Sequence, residues 1–412
     1  MPDVTELLKW YGSPLYVYQL DAVERAHADL CALLPVNSTL HYSLKANPNP
    51  SVVRALREAG CRAEVSSLGE LDVALEAGFA GADCLYTGPG KTDQEVAYAL
   101  TRGVRRFSAE SAEDMRRLGD AALEGNTEVS VLLRVNGSHA GTSGMRMTGA
   151  ATQFGVDEAQ VLAEPGRFTG VPGARLVGLH LFPISNARDE DSLISAFAAS
   201  VSLARRLRDQ AGLPLQVLDL GGGFAAPYAQ PGSRPPYPRL REELCATLDA
   251  ELPEWRTGEI RLEFESGRYL VSDSGRLAAT VRDVKRSGEQ TFVVLDTGVH
   301  HLGGMSGLGR LARASATPEP GDQPTSSATL AGPLCSPADV LGRSVPVPPL
   351  DVGDTVVFPN VGAYGLTASL VAFLGRPAPV EVVLRGEETI SKTRLQLSHV
   401  PVTPAPFGSE LM

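Results

Sequence analysis

The fold of this chain is indicated by a short apolar run that ends in three consecutive glycines, Val217-Leu218-Asp219-Leu220-Gly221-Gly222-Gly223-Phe224. A continuous apolar run of this length is typical of a strand that is buried on both faces of a parallel sheet. Glycines directly after such a strand let backbone N–H groups approach an anion, as at the phosphate sites of barrels. A tight turn without a ligand is the alternative. No Gly-Lys-Ser/Thr follows, so a Walker loop is excluded.

The same type of run occurs eight times, and helical patterns separate the runs. The predicted strands are Thr39–Lys45, Arg62–Ser67, Cys84–Pro89, Arg105–Glu110, Glu128–Asn136, Arg175–Pro183, Val217–Phe224 and Arg261–Arg268. Ser111 and Asp157 are predicted to cap two of the helices between them. Alternation of this kind predicts an α/β fold, a (β/α)8 TIM-like barrel. An open doubly wound sheet also fits the periodicity. We favour the barrel because polar and glycine-rich positions fall at the strand ends all around the set.

After Arg268 the pattern changes to short alternating or apolar runs without long helices between them. These runs are Arg276–Lys285, Thr291–Asp296, Asp354–Pro359, Val380–Arg385 and Arg394–Val400. They predict a second, β-rich domain of the sandwich or barrel type, to which the strand-like run Pro14–Tyr18 also belongs. We therefore expect a barrel over residues 30–270 and a β domain formed by residues 1–29 plus 271–412. The Ser-, Thr-, Pro- and Gly-rich stretch Gly303–Gly332 is predicted to be a loop.

Composition limits the functional classes. The 412 residues include 37 Lys plus Arg and 48 Asp plus Glu, which gives a formal net charge of −11. Such a charge argues against binding to nucleic acid or to anionic membranes, because phosphates are repelled. No apolar run is long enough to span a bilayer, and the N-terminus lacks the regions of a signal peptide. The five cysteines are widely spaced, which indicates reduced thiols in a cytoplasm and no metal site.

Three positions at predicted strand ends are suited to chemistry. Lys45 closes the first strand, where burial is expected to depress its pKa and allow a covalent bond to an aldehyde. Glu265 ends the eighth strand and is able to hold a ring nitrogen protonated, while Arg268 is able to bind phosphate. Each has an ordinary structural alternative, namely a lysine that reaches solvent and a local salt bridge. Cys335 and Tyr364, taken alone, are equally compatible with structural roles.

Taken together and in order, these motifs resemble those of the fold-type III pyridoxal-phosphate decarboxylases, which include ornithine, arginine and diaminopimelate decarboxylases. The likeness extends from Gly12–Tyr18, through Tyr42–Asn47 and Glu64–Glu70, to Gly362–Tyr364. It implies a homodimer with shared active sites and a catalytic pair, Lys45 and Cys335, of which the cysteine comes from the other subunit. The implied pyridoxal 5'-phosphate site comprises Lys45, Ser67, Arg134, Phe182, Ser185, Gly221, Gly222, Gly223, Glu265, Gly267, Arg268 and Tyr364.

Three departures from the family's pattern affect the expected activity. Phe182 stands where the family has a ring-stacking histidine, and a phenyl ring is able to stack in its place. Ser266 replaces a proline, which is a mild change. Ser336 follows the cysteine where decarboxylases of diamino acids carry an acidic residue that pairs with the distal ammonium group. Asp339 and Asp296 are the other residues expected near the far end of the substrate.

The resemblance therefore predicts a carboxy-lyase of secondary metabolism that acts on an unusual amino acid, or on a glutamyl- or aspartyl-type group tethered to an acyl carrier protein. A decarboxylase of free diamino acids is the main alternative. A racemase of the same general fold is less favoured, because racemases of that type place an arginine at the ring nitrogen, where this chain has Glu265. A pyridoxal-phosphate carrier protein is disfavoured by the second domain and by the motif around Cys335.

Overall fold

In the computed structural model of the chain, the described residues are 3–137, 145–146, 152–305, 315–320 and 326–401. Within these ranges, eight parallel strands form a closed ring, numbered here as barrel strands 1 to 8 in chain order. Strand 4 pairs with strand 5, and this pairing closes the barrel. The (β/α)8 prediction is confirmed. The barrel strands are Thr39–Ser43, Arg62–Val65, Cys84–Tyr86, Arg106–Ala109, Val129–Asn136, Ala174–His180, Val217–Asp219 and Arg261–Ser266.

Helices cover the outside of the barrel, and their ends follow from the sequence. The Ser111 side chain accepts a hydrogen bond from the backbone of Asp114, as predicted for a cap. Asp157 occupies the corresponding position of its helix, but its side chain caps no backbone N–H group. Gly212 ends the longest described helix in a left-handed conformation with φ 66°. The helices of this region are Leu20–Leu33, Pro50–Glu58, Leu68–Glu76, Asp93–Thr101, Ala112–Glu124, Glu158–Ala163, Glu190–Ala211, Leu240–Glu251 and Arg268–Val271.

A second sheet joins the two ends of the chain. Leu15–Gln19 lies between Gly275–Ser287, to which it is antiparallel, and Val380–Arg385, to which it is parallel. The short helix Val4–Tyr11 packs beside it. The other strands of this mixed sheet, as far as the structure describes them, are Gln290–Leu295, Ser326–Ala331, Val340–Val347, Thr355–Phe358 and Glu388–Arg394. Two-residue strands occur at Met145–Arg146, Val156–Asp157 and Ile184–Ser185.

Two local predictions in this β-rich part are wrong. The predicted strand Arg394–Val400 is irregular beyond Arg394, because the preceding strand Val380–Arg385 already pairs with Glu388–Arg394 through a tight turn at Gly386. The predicted loop Gly303–Gly332 contains the strand Ser326–Ala331. Residues 306–314 and 321–325 of that stretch lie outside the described residues. The predicted domain boundaries stay a prediction.

Two hydrogen bonds join the barrel to the β-rich part of the chain near the end of barrel strand 1. The backbone N–H of Tyr364 donates to the carbonyl of Ala46, at 2.7 Å, and the Asn47 side chain donates to the Gly362 carbonyl, at 2.8 Å. Tyr364 has a positive φ of 52°, which is uncommon for a residue other than glycine and indicates a tight turn at this position. These two hydrogen bonds hold the loop that carries Tyr364 against the end of barrel strand 1. Among the described helices, none combines the length and the apolar character that a bilayer span needs.

Candidate active site

A cavity of about 690 Å³ opens at the carboxyl ends of the barrel strands. This is the end at which sites of such barrels are built, because the loops there converge from all strands. Seven of the residues predicted from the sequence line it together: Lys45, Arg134, Phe182, Ser185, Glu265, Arg268 and Tyr364. The structure therefore gathers side chains from both parts of the chain around one space.

Lys45 lies on the 3-10 turn Leu44–Ala46 that follows barrel strand 1, rather than within the strand. Its Nζ atom donates to both carboxylate oxygens of Glu64, at 3.1 and 3.2 Å. Burial alone lowers the pKa of Lys45, but the carboxylates of Glu64 and Glu265 outweigh burial and raise it above its ordinary value. The expectation of a depressed pKa is therefore wrong for the chain without a cofactor. These two carboxylates therefore favour the ammonium form of Lys45.

Glu64 is the counter-ion of that lysine and was not singled out as a site residue from the sequence. Burial raises its pKa, but Lys45 and hydrogen bonds to its carboxylate lower the pKa to about 2. The Thr87 hydroxyl is one such donor, at 2.5 Å. Glu70, also in the cavity wall, has its pKa raised to about 7 by burial and by the charge of Glu64. In the sequence, the polar residues at the end of strand 2 are the feature that indicates a role for Glu64 and Glu70 in the site.

Glu265 ends barrel strand 8 and is 2% exposed. Burial, followed by repulsion from Glu64 and Asp219, raises its pKa well above the ordinary value. Its Oε1 atom has no hydrogen-bond partner among the described residues. A buried acceptor without a donor is costly, and a protonated ring nitrogen entering the cavity supplies the missing donor. The residues present therefore fit a pyridoxal-type ring.

The glycine triplet also fits a pyridoxal-type ring, because its backbone packs closely against Glu265 and Phe182. Gly221 and Gly223 have positive φ values of 66° and 110°. A Cβ atom at Gly222 would lie 2.4 Å from the backbone oxygen of Glu265, and one at Gly221 would lie 2.5 Å from the Phe182 ring. Only glycine is accommodated here. The triplet itself is not part of the cavity wall, so its phosphate role stays a prediction.

Aromatic rings and one arginine form another part of the cavity wall. The Arg134 guanidinium lies 4.6 Å from the centre of the Phe154 ring and 5.9 Å from that of Phe182. It also donates to Glu110, at 3.0 Å. Phe182 meets the His180 ring edge-on, with centroids 6.4 Å apart. Phe182 and His180 both reach the cavity.

Some predicted residues lie near the cavity without forming its wall. Ser67 caps the helix Leu68–Glu76 through the backbone N–H of Glu70. Gly267 packs against the end of strand 1, where a Cβ atom would lie 2.7 Å from the Ala46 Cβ. Ser67 thus fixes the start of that helix with its side chain, and Gly267 allows close packing at the end of strand 1.

The Cys335 loop stands apart from the cavity of its own chain. Cys335 is exposed, and the Ser336 hydroxyl accepts from the backbone of Ala338. Asp339 is buried, and its carboxylate accepts backbone N–H groups from Val299 and Leu334, both at 2.8 Å. Asp339 therefore holds the loop together.

Asp296 likewise has local partners: Arg282 and the backbone of Thr280, each at 2.9 Å. None of the four residues Cys335, Ser336, Asp339 and Asp296 lines the cavity that the structure describes.

A closed barrel with a lysine, a buried acid and a glycine turn at one end fits the class of barrel enzymes that carry pyridoxal phosphate. Sequence comparison agrees with this class. Residues 20–272 match the family model described as the pyridoxal-dependent decarboxylase, pyridoxal binding domain. The chain belongs to this family. It is a pyridoxal-phosphate-dependent carboxy-lyase, and its cofactor is pyridoxal 5'-phosphate.

Individual relatives cover nearly the whole chain. The chain is 31% identical to the L-glutamyl-[BtrI acyl-carrier protein] decarboxylase of Niallia circulans, over 93% of this chain and 91% of that protein. It is 29% identical to a diaminopimelate decarboxylase of Methanothermobacter thermautotrophicus, over 93% and 89%. Its fold resembles the crystal structure of diaminopimelate decarboxylase from Helicobacter pylori complexed with L-lysine. That match has a TM-score of 0.83 and 24% identity, over 95% of this chain and 97% of that one.

Proposed function

We propose that this enzyme removes the α-carboxylate of a glutamyl- or aspartyl-type group that is tethered to an acyl carrier protein. The similarity to the glutamyl-carrier-protein decarboxylase, at 31% identity over 93% of the chain, is the observation that carries this proposal. The reaction belongs to natural-product biosynthesis, where tethered aminoacyl groups are modified. We also propose a cytoplasmic location, which the five free cysteines support.

The carboxylates of the cavity support a substrate whose far end carries no positive charge. Glu64 is paired with Lys45. Glu70 accepts the backbone N–H of Ser66, at 2.7 Å. Glu95 accepts the backbone N–H of Thr92 at the start of its own helix, at 2.8 Å. A distal ammonium group would have to compete with these local donors, and Ser336 offers no charge in compensation.

We assign the site residues as follows. Pyridoxal phosphate, when bound, supplies an electron sink for the carbanion that remains after carbon dioxide leaves. Lys45 holds the cofactor through its aldehyde, which requires the lysine to leave Glu64. Glu265 accepts a hydrogen bond from the protonated ring nitrogen, and Phe182 packs on the face of the ring. We assign the cofactor phosphate to Gly221, Gly222, Gly223 and Arg268, and the hydroxyl side of the cofactor ring to Arg134. The other predicted cofactor-binding residues are Ser67, Ser185, Gly267 and Tyr364.

We further propose a homodimer in which Cys335 serves the cavity of the partner subunit and delivers a proton to the product carbanion. The exposure of Cys335 outside the cavity of its own chain supports this arrangement. Mixing a Lys45→Ala protein with a Cys335→Ala protein, each inactive alone, should restore activity, because one site of the heterodimer is intact. Cys245→Ala, a change at a half-buried cysteine, is the matched control and should retain activity. No recovery despite demonstrated subunit exchange would contradict the shared site.

Substrate choice is tested by mass spectrometry of candidate substrates. Glutamyl- and aspartyl-loaded carrier proteins should each lose the mass of carbon dioxide when the enzyme is added. Free ornithine, lysine and diaminopimelate should react with much lower specificity constants. Ser336→Glu should improve the free diamino acids, since it restores a partner for the distal ammonium group. A free diamino acid with the highest specificity constant for the unchanged enzyme would refute the proposal.

A decarboxylase of free diaminopimelate is the second candidate. The 29% identity to the Methanothermobacter thermautotrophicus enzyme favours it. The comparison of specificity constants separates the two candidates directly. We retain the boundaries at residues 30–270 for the barrel and 1–29 plus 271–412 for the β domain as part of the same proposal.

A further inference from the structure

Three neighbouring buried side chains, two of which line the cavity, each carry a polar atom without a hydrogen-bond partner among the described residues. These atoms are Nε2 of His180, Oδ2 of Asp219 and Oε1 of Glu265, from barrel strands 6, 7 and 8. One ring nitrogen of His180 and one carboxylate oxygen each of Asp219 and Glu265 all lie within 4.8 Å of one another. Each of the three residues is at most 2% exposed, and none of the three atoms has a hydrogen-bond partner among the described residues. Because an unpaired buried polar atom is costly, three of them together require an occupant or a shared proton.

The opposite ends of two of these side chains are fixed, which aims the unpaired atoms inward. The His180 Nδ1 atom lies 2.8 Å from the Ser108 hydroxyl. If that hydroxyl donates, the ring proton of a neutral imidazole stands on Nε2, which is 3.3 Å from Glu265 Oε1. The Asp219 Oδ1 atom accepts the backbone N–H of Gly221, at 2.8 Å. Asp219 therefore connects the first residue of the glycine turn to the carboxylate that faces the cofactor ring.

Among the described residues, no lysine or arginine forms an ion pair with Asp219 or Glu265. Of the two cations nearest in the cavity, Lys45 is paired with Glu64 and Arg134 with Glu110. By contrast, Glu263 on the same strand as Glu265 has two close partners: Arg106 at 2.7 Å and the His41 ring nitrogen at 3.0 Å. Two buried carboxylates this close together, without a paired lysine or arginine, cannot both ionise at ordinary cost.

We propose that His180, Asp219 and Glu265 hold one shared proton in a triad that positions the carboxylate of Glu265 beneath the cofactor ring. With the cofactor present, the proton resides on Asp219, and Asp219 and the Nε2–H of His180 both donate to an ionised Glu265. His180 and Asp219 are thus positioning residues. The inference rests on the proposed role of Glu265 at the ring nitrogen.

The charges around the triad agree with a single proton. Burial, followed by Glu64 and Asp219, raises the pKa of Glu265, while Lys45 and Arg134 oppose this shift. In the chain without a cofactor the proton therefore resides on Glu265. Beside a protonated ring nitrogen, Glu265 would be ionised, and Asp219 would hold the shared proton.

Asp219 is able to receive that proton because burial raises its pKa to about 6. Glu263 raises the pKa further, while His41 and Arg106 lower it. The pKa of His180 lies well below its ordinary value, chiefly because of burial and also because of Arg134, Lys45 and His41. Glu64 acts in the opposite direction but does not outweigh them, so the imidazole is neutral. The proton then stays within the triad and does not charge the histidine.

Isosteric substitutions distinguish a protonated Asp219 from an ionised one. Asp219→Asn keeps an oxygen for the Gly221 N–H and places an amide donor where the proton is proposed. It should therefore bind pyridoxal phosphate within about twofold of the unchanged protein, whereas Asp219→Ala should bind about tenfold or more weakly. His180→Gln, which can still donate near the Nε2 position, should resemble the unchanged protein. His180→Leu should lose about tenfold in affinity.

Two further readouts separate positioning from simple structural damage. The pH at which the absorption band of the bound cofactor changes should shift by about one unit in His180→Leu and stay unchanged in His180→Gln. Thermal unfolding of the cofactor-free Asp219→Asn protein should match or exceed that of the unchanged protein, because the substitution removes a need for a shared proton. Metal analysis of the purified protein should find no stoichiometric ion.

The outcomes are distinguishable from those of the proposed function. If Asp219→Asn is impaired as strongly as Asp219→Ala in both cofactor binding and stability, or if a stoichiometric metal ion is found, the proton triad is wrong. Glu265→Gln tests the proposed role of Glu265 at the ring nitrogen, on which the triad depends. This substitution should abolish the pH-dependent change of the absorption band. If Glu265→Gln behaves like the unchanged protein, the assigned role of Glu265 fails, and with it the triad's positioning role. Decarboxylation of carrier-bound substrates is decided separately.

Discussion

Replacing Glu263 by glutamine should destabilise the protein strongly, although this residue lies below the cavity. Its carboxylate, 3% exposed, accepts from Arg106 at 2.7 Å and lies 3.0 Å from the His41 ring nitrogen. Burial by itself raises the pKa of Glu263, but these partners outweigh burial and lower the pKa to about 2, from an ordinary 4.5. The folded state therefore favours the ionised form. Glu263→Gln removes the charge and leaves Arg106 without its counter-ion.

The shift sets the size of the effect. A difference of about two and a half pKa units corresponds to about 3 kcal/mol of folding free energy at pH 7. Because the folded-state pKa is lowered, this contribution is fully present above the unfolded-state pKa of 4.5 and is lost as the pH falls towards 2. The loss caused by Glu263→Gln should therefore shrink to about 1 kcal/mol at pH 3.

Urea unfolding of the cofactor-free protein at pH 7 and at pH 3 measures both values. Glu265→Gln is the matched control, since it makes the same chemical change two residues further along the same strand. Glu265 has a raised pKa, and among the described residues it forms no ion pair with a lysine or arginine, so its neutralisation should leave the unfolding free energy at pH 7 unchanged or slightly higher. Equal losses in the two variants, or a Glu263→Gln protein as stable as the unchanged one at pH 7, would refute the reasoning.

Three further outcomes are expected. Borohydride reduction followed by peptide mapping should place the cofactor on Lys45, and a label on any other lysine would contradict its assignment. Gly222→Ala should weaken cofactor binding more than tenfold, because its Cβ would lie 2.4 Å from the Glu265 backbone oxygen, whereas Gly69→Ala, where the Cβ meets nothing within 4 Å, should be neutral in the same titration. Asp339→Asn, with one side-chain oxygen left for two backbone N–H groups, should cost about 1–3 kcal/mol in urea unfolding, and no loss would show that this carboxylate does not hold the loop.

The barrel could be predicted from the sequence because its strands are short, apolar and separated by helices that have local start and stop residues. Each of these features depends on neighbours along the chain. The β-rich part was harder to predict. Pairing decided that Glu388–Arg394 forms a strand and that the apolar residues after it do not. A strand of a mixed sheet is defined by its partner, which local periodicity does not reveal.

The sequence by itself determined which residues stand at the ends of the barrel strands, since a strand ends where its apolar run ends. It thereby placed Lys45 and Glu265 at the same end of the barrel. Only the tertiary structure decided their charge states, because a pKa depends on groups a few ångströms away that lie far off in the sequence. Glu64 raises the pKa of Lys45, and His180 and Asp219 meet Glu265 only when strands 6, 7 and 8 lie side by side.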